Sequence, residues 1–429
     1  MKMMKADELA LAGGKPAVTL KCPRWPVSGR QELVWMEKVV RSGKWSWLGP
    51  HERAFCEEYA RFIGSKYCVC LANGTVTIQC ALQAVGMKPG DEVIVPGLTW
   101  VATAQAALDI GANVVLVDID PETLCIDPAA IEKAITRKTK AIIPVHLYGC
   151  MCDMDAIMKI AHRHKLKVVE DVAHQHGSRW RNRGAGAIGN AGSFSFQQSK
   201  PLTCGEGGAV TCNDKAVYDT IFALKQVGWG PDGKPANRYG HNYRMTEMQA
   251  VLLRGGLQRL TRQIALREDN AQCLAAGLQK IGGPLRAVRR DPRITRQAYY
   301  AMTFVFDPSL ADGVTKAEYA KALAAEGCAM GGTYAAVYKN SLLNLYDTTS
   351  PVPFRDRKTI QNYRALKLPN VEKAVNETAL VMSHPQLLGT RGYMTQWVQA
   401  IAKVNDHLGQ VKALCRKQAD GKKGQSDKC

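Results

Sequence analysis

The chain has 429 residues, 46% of them apolar, which suffices for a large core with a smaller one beside it. No run of eighteen apolar residues occurs, and the N-terminus, Met1 to Glu8, lacks the apolar stretch of an export signal; a cytoplasmic protein without membrane contact is expected. The formal charge of +19 concentrates at Arg286–Arg296 and Lys403–Cys429, and no zinc finger, RNA-binding aromatic signature or base-reading helix accompanies it, so a solvated basic surface is expected rather than a nucleic-acid interface.

In chain order, Tyr67–Ala72 reads as a strand, and Ile78, Ala81, Leu82 and Val85 then recur at the spacing of a helix face. Glu92–Pro96 is a short apolar strand, Thr99–Leu108 a small-residue helix and Asn113–Val117 another strand. Pro128–Ile135 reads as helix, Ala141–Val145 as strand, Met154–His164 as helix and Lys167–Val169 as strand. Strands alternating with helices of this length imply parallel pairing with crossovers, an α/β sheet covered on both faces. The fourteen cysteines lie mostly inside such patterns, as in Tyr67-Cys68-Val69-Cys70-Leu71, where a free thiol acts as a small hydrophobe. Cys150-Met151-Cys152 has no second Cys/His pair at zinc-like separation, so no metal is expected.

Beyond a strand at Ala209–Cys212 and a helix to about Val227, a polar loop spans Gly228–Asn242. A long helical pattern then runs from Thr246 towards Lys280, with a bend expected at Gly255-Gly256. Tyr299–Phe306 reads as strand, and Lys316–Glu326 and Thr395–Leu408 as helices of a smaller α+β unit. The organisation expected is an N-terminal arm (1–26), a large α/β domain (27–265), a small C-terminal α+β domain (266–412) and a disordered basic tail (413–429).

Chemistry concentrates at the strand ends. Lys200 follows Ser193-Phe194-Ser195-Phe196-Gln197-Gln198-Ser199 and precedes the turn Cys204-Gly205-Glu206-Gly207-Gly208. An amine desolvated in that setting loses its proton near neutral pH and can attack an aldehyde. Asn73-Gly74-Thr75, between a strand and a helix, offers backbone N–H groups to a phosphate. Trp100 can stack on a planar ring, Asp171 can hold a protonated heterocyclic nitrogen, and His174 can reach a phenolic oxygen of the same ring. His176 reads as packing. Taken singly each has a plain alternative: a surface lysine, a simple turn, a core tryptophan, a helix N-cap. Taken together they describe pyridoxal 5'-phosphate (PLP), with its phosphate at Gly74, Thr75 and Ser195, its ring between Trp100 and Asp171, and its aldehyde carbon at Lys200; Lys200 and Asp171 are the catalytic pair.

These segments resemble those of the DegT/DnrJ/EryC1/StrS group of PLP-dependent sugar aminotransferases. The resemblance runs from about Gly13 to Val404 and includes Ser42-Gly43-Lys44-Trp45, Asn73-Gly74-Thr75, Asp91–Pro96, Pro144–Gly149, Glu170-Asp171, Ser193–Gln197, Gly205–Gly208 and Asn242-Tyr243-Arg244-Met245-Thr246-Glu247. It implies a type I, aspartate aminotransferase-like fold, cofactor contacts from the residues just named, and a homodimer in which Asn242 reaches the neighbour's phosphate. A dehydratase sub-branch carries histidine where Lys200 stands, so the lysine favours transamination. Ser199–Thr203, Gln297–Tyr300 and Tyr334–Tyr338 look like the cyclitol branch, the glutamine:scyllo-inosose aminotransferases, while Cys204 and Val76-Thr77-Ile78 depart from its pattern. The reading is ping-pong transfer from glutamine or glutamate to a keto-cyclitol. The alternatives are a nucleotide-linked keto-sugar as acceptor, an aminohydroxybenzoate synthase-like enzyme, and a non-catalytic PLP-fold binding protein. Tyr334, Trp229 and His384 are candidates to border the donor carboxylate.

Overall fold

A computed structural model describes residues 8–47, 49–343 and 361–426. Residues 1–7 of the arm and 427–429 of the tail lie outside the described residues.

Seven strands form the central sheet: β1 (Tyr67–Leu71), β2 (Glu92–Pro96), β3 (Asn113–Val117), β4 (Thr139–Ile142), β5 (Lys167–Asp171), β6 (Ala191–Ser195) and β7 (Gly208–Cys212). Their spatial order is β1-β7-β6-β5-β4-β2-β3. All run parallel except β7, which pairs antiparallel with both β1 and β6. Helices on both faces bury these strands, which explains their near-continuous apolar sequences. Local sequence sets the helix starts. Asp153 accepts from the N–H of Ala156 at 3.1 Å and opens Met154–His164, and the Asn73 side chain caps Gly74–Ala84 by accepting from Thr75 and Val76.

A second, separate core holds the smaller unit, built on an antiparallel sheet of β8 (Leu285–Ala287), β9 (Ala301–Phe306) and β10 (Ala379–Ser383) in the order β8-β9-β10. The long helix Glu247–Ile281 belongs to both cores. Leu253, Leu260 and Ile264 pack into the first, and Ala271, Leu274 and Leu278 into the second. The helix is unbroken through Gly255-Gly256. Gly255 is there for close packing, since a Cβ would meet the Glu32 carboxyl group at 2.4 Å.

The N-terminal arm docks on the smaller unit, with Leu9 fully buried in its core and Val18 N–H donating to the Glu326 carbonyl at 2.9 Å. The tail differs from expectation. Helix Leu408–Ser426 continues through most of the segment read as disordered, because Val411 and Cys415 insert into the second core and anchor it. No helix among the described residues is long and apolar enough to cross a membrane.

Candidate active site

Because the parallel strands share a direction, their carboxyl ends share one edge, and the loops leaving that edge bring distant residues together. Asn73 and Gly74 follow β1, Trp100 follows β2, Asp171 ends β5 and Ser195 ends β6. The parallel pairing of Asp171 with Ser193 sets the carboxyl ends of β5 and β6 side by side. A cavity of about 680 Å³ opens there, and Gly74, Thr75, Trp100, Asp171, His174, Ser195 and Lys200 all line it.

Asp171 and Lys200 are 6% and 9% exposed. Burial raises the Asp171 carboxyl, against hydrogen bonds from Ala173 N–H at 3.1 Å and the Thr103 hydroxyl at 2.8 Å and against the Lys200 charge. Burial also brings the Lys200 amine down to about 8, with Asp171 opposing the shift. Its Nζ lies 4.4 Å from the centroid of the Tyr300 ring. The cavity therefore holds an amine with a sizeable neutral fraction at neutral pH and a nearly dry carboxyl group.

His174 has one fixed tautomer. Its Nδ1 accepts from the Tyr148 N–H at 3.1 Å, so the proton of the neutral ring sits on Nε2, which faces the Tyr334 hydroxyl at 3.3 Å. Burial and the Lys200 charge hold its pKa well below the ordinary histidine value, which keeps the ring neutral. The ring stacks on Tyr300 at 3.9 Å between centroids. His176 is packed between Phe194 and Phe196 and held down to about 3 by burial.

At the other end, the first turn of Gly74–Ala84 meets Ser195 so closely that a Cβ on Gly74 would lie 2.7 Å from the Ser195 Cβ. A Cβ on Gly208 would lie 2.7 Å from the Asn73 carbonyl. The two glycines let a helix N-terminus, with its partial positive charge, sit against a serine hydroxyl, which forms a cradle for a phosphate.

The DegT/DnrJ/EryC1/StrS aminotransferase family matches residues 27–386. The chain belongs to that family. It is 37% identical over 427 residues to an L-glutamine:2-deoxy-scyllo-inosose aminotransferase of Streptoalloteichus tenebrarius, covering 94% of this chain and 99% of the relative. It is 36% identical to the L-glutamine:scyllo-inosose aminotransferase of Streptomyces griseus, with the same coverage. Among solved structures, the aminotransferase from Psychrobacter cryohalolentis matches at TM-score 0.81 and 32% identity, covering 91% of this chain and all of that one. A 3-amino-5-hydroxybenzoic acid synthase matches at TM-score 0.80 and 31% identity, over 89% of this chain and 98% of that one. The fold is that of these solved structures, as the resemblance implied.

Of four further residues singled out in the sequence, Trp229 and His384 sit differently from the picture it offers. Trp100 is 58% exposed at the cavity mouth, 5.5 Å from the Tyr334 ring, which leaves a face open rather than buried in a core. Asn242 is exposed and does not line this cavity. Trp229 also stays outside it. His384 is buried with both ring nitrogens engaged, Nδ1 by Arg267 and Nε2 by the Ser199 carbonyl, so it has no free atom for a donor carboxylate. Sequence reasoning missed Thr103, whose hydroxyl holds Asp171; a threonine inside a small-residue helix carries no signal of such a role. Tyr300 was legible only as part of a branch-like segment, and its place over Lys200 depends on how the smaller unit docks.

Proposed function

We propose that this protein transfers the amino group of glutamine to a keto-cyclitol of the scyllo-inosose type, using PLP in the cavity at the sheet's carboxyl edge. The bound cofactor supplies an aldehyde that condenses with amines and a ring that accepts electrons from the carbon bearing the transferred nitrogen. Lys200 is the amine that holds it covalently; once freed by the incoming donor, the Lys200 Nζ moves the proton at the donor α-carbon. Asp171 keeps a proton on the ring nitrogen by a charge-assisted hydrogen bond. His174 donates its Nε2–H to the ring's phenolic oxygen, and Trp100 covers one ring face. The Gly74 N–H and the hydroxyls of Thr75 and Ser195 take the phosphate at the helix N-terminus, where Asn73 caps the Thr75 N–H. Tyr300 and Tyr334 line the same cavity and keep water from the reacting carbon.

The observation that carries this reading is the meeting in one cavity of a buried amine brought to about 8 and a buried carboxyl group. The substrate pair is supported by the names of the relatives, which join glutamine to scyllo-inosose ketones. We further propose a homodimer, in which the exposed Asn242 serves the partner's phosphate site, and a cytoplasmic location, which suits the free thiols.

The test is a divided reaction. Cofactor-loaded protein is exhausted with glutamine, and scyllo-inosose, a nucleotide-linked 4-keto-sugar or no ketone is then offered. Return of the aldehyde absorbance with scyllo-inosose, and an aminocyclitol in the product by mass spectrometry, is the expected outcome. Return with the nucleotide sugar alone would reject the cyclitol reading, and no bleaching by glutamine would reject the donor.

A further inference from the structure

Next to the segment that carries Lys200, and outside the cavity lining, lies a cationic side chain for which the proposed reaction has no use. Arg267, on the helix Glu247–Ile281, is 1% exposed, and no carboxylate among the described residues is paired with it. Its Nε and Nη1 have no hydrogen-bond partner. One guanidinium N–H, on Nη2, lies 3.1 Å from His384 Nδ1, and the group sits 5.4 Å from the centroid of the Trp25 ring. A buried guanidinium without an acid is costly, and a hydrocarbon side chain of similar volume would stabilise the fold better. Retaining it calls for a gain elsewhere.

Its hydrogen bonds supply one. A guanidinium only donates, so His384 Nδ1 accepts and the proton of the neutral imidazole must be on Nε2. That Nε2–H donates to the Ser199 carbonyl at 2.9 Å, the carbonyl of the peptide that joins Ser199 to Lys200. Trp25 completes the arrangement: its Nε1–H donates to the Gln198 carbonyl at 3.1 Å, and its ring meets His384 edge-on at 4.6 Å. Three separated parts of the chain, the N-terminal arm, the long helix and the turn after β10, thus hold two successive carbonyls just before the lysine.

We infer that Arg267, acting through His384, is a positioning residue for Lys200: it fixes the imidazole tautomer that pins the Ser199–Lys200 peptide and so aims the amine into the cavity. The inference rests on the role proposed for Lys200. It also couples the smaller unit, which carries His384, to the amine of the larger. The groups that face Lys200 are Asp171 from β5, His174 and His176 from the turn after it, Tyr300 from before β9, and His384 with Arg267 behind it. Burial is what lowers the amine, with Asp171 opposing it, so an amine released from its held position gains solvent and moves back towards the ordinary lysine range.

The test uses full-length apoenzyme and three variants, Arg267→Met, His384→Ala and His384→Gln. The last keeps an N–H donor near the place of Nε2. Modification of Lys200 by trinitrobenzenesulfonate is followed against pH by peptide mass spectrometry, alongside thermal unfolding. Arg267→Met and His384→Ala should move the Lys200 profile upward by about one pH unit, about a tenfold loss of reactivity at pH 7. His384→Gln should stay within about threefold of wild type, and Arg267→Met should unfold no lower than wild type. Unchanged Lys200 profiles in Arg267→Met and His384→Ala, with a lowered unfolding temperature in Arg267→Met, would overturn the inference and make the cluster structural. A wild-type Lys200 that titrates like an ordinary lysine would instead reject the role proposed for Lys200.

Discussion

Replacing Asp171 by asparagine takes one negative charge from the cavity and keeps the shape of the side chain. Both existing hydrogen bonds can survive: the amide oxygen still accepts from Ala173 N–H, at 3.1 Å in the native chain, and the amide NH2 faces the Thr103 hydroxyl, at 2.8 Å. That hydroxyl can turn to accept, because Thr99 lies 3.0 Å from it and either hydroxyl can be the donor. The fold should therefore be unaffected, and any loss reports the charge. A hydrogen bond to a charged group contributes about 1.5–3 kcal/mol, and each 1.4 kcal/mol is about a factor of ten, so the reaction with glutamine should slow by roughly 10- to 150-fold. Because the electron-accepting ring depends on that proton throughout, the larger figure is expected. The assay is stopped-flow bleaching of the cofactor absorbance by glutamine, in protein shown by absorbance to carry a full complement of cofactor. A rate within threefold of wild type would refute the role given to Asp171. Thr103→Val should follow the same direction at about tenfold, the lower weight of one hydrogen bond to a charged carboxylate.

Other consequences are independent of that charge. Gly74→Ala places a Cβ 2.7 Å from the Ser195 Cβ, where backbone must shift, so cofactor affinity should fall at least about tenfold in an absorbance titration, with unfolding little changed. The Lys225–Glu52 ion pair is 3% and 8% exposed, and Glu52→Gln should destabilise the protein by about 3–5 kcal/mol in urea unfolding, while the double change to Glu52→Met and Lys225→Met costs less. If Asn242 serves the partner's site, then Asn242→Ala and Lys200→Ala proteins, each inactive alone, should regain activity when unfolded and refolded together. Mixed dimers would hold one complete site, and no recovery on mixing would exclude the shared arrangement.

Much of this layout was legible because local chemistry and tertiary demand agree. Helix Met154–His164 appears with the bounds its pattern gives, since Asp153 caps it and its apolar face, Met154, Ile157, Ile160 and Ala161, is the buried one. Glu92–Pro96 and Asn113–Val117 likewise needed only an apolar run between turns. Strand Gly208–Cys212 was visible as a strand, but its reversed direction was not, because direction is fixed by the short return from β6 and leaves no mark on composition. The glycines at 255 and 256 signalled flexibility by their intrinsic propensity, yet the space they vacate is taken by Glu32 and Leu202 and the helix continues. The tail's charge masked two anchors, Val411 and Cys415, enough to dock a helix. In the site, residues at strand ends could be inferred one by one, since the carboxyl edge of a parallel sheet collects them. Thr103, Arg267 and His384 could not: each acts through a contact between parts of the chain that no sequence spacing connects.

The central claim is that the Lys200 amine takes the cofactor's aldehyde. Borohydride reduction of the cofactor-loaded protein, followed by proteolysis and mass spectrometry, tests it most directly. The pyridoxyl group should be found on the peptide carrying Lys200 and should vanish in Lys200→Ala. A label on any other lysine, or one that persists in that variant, would contradict the account.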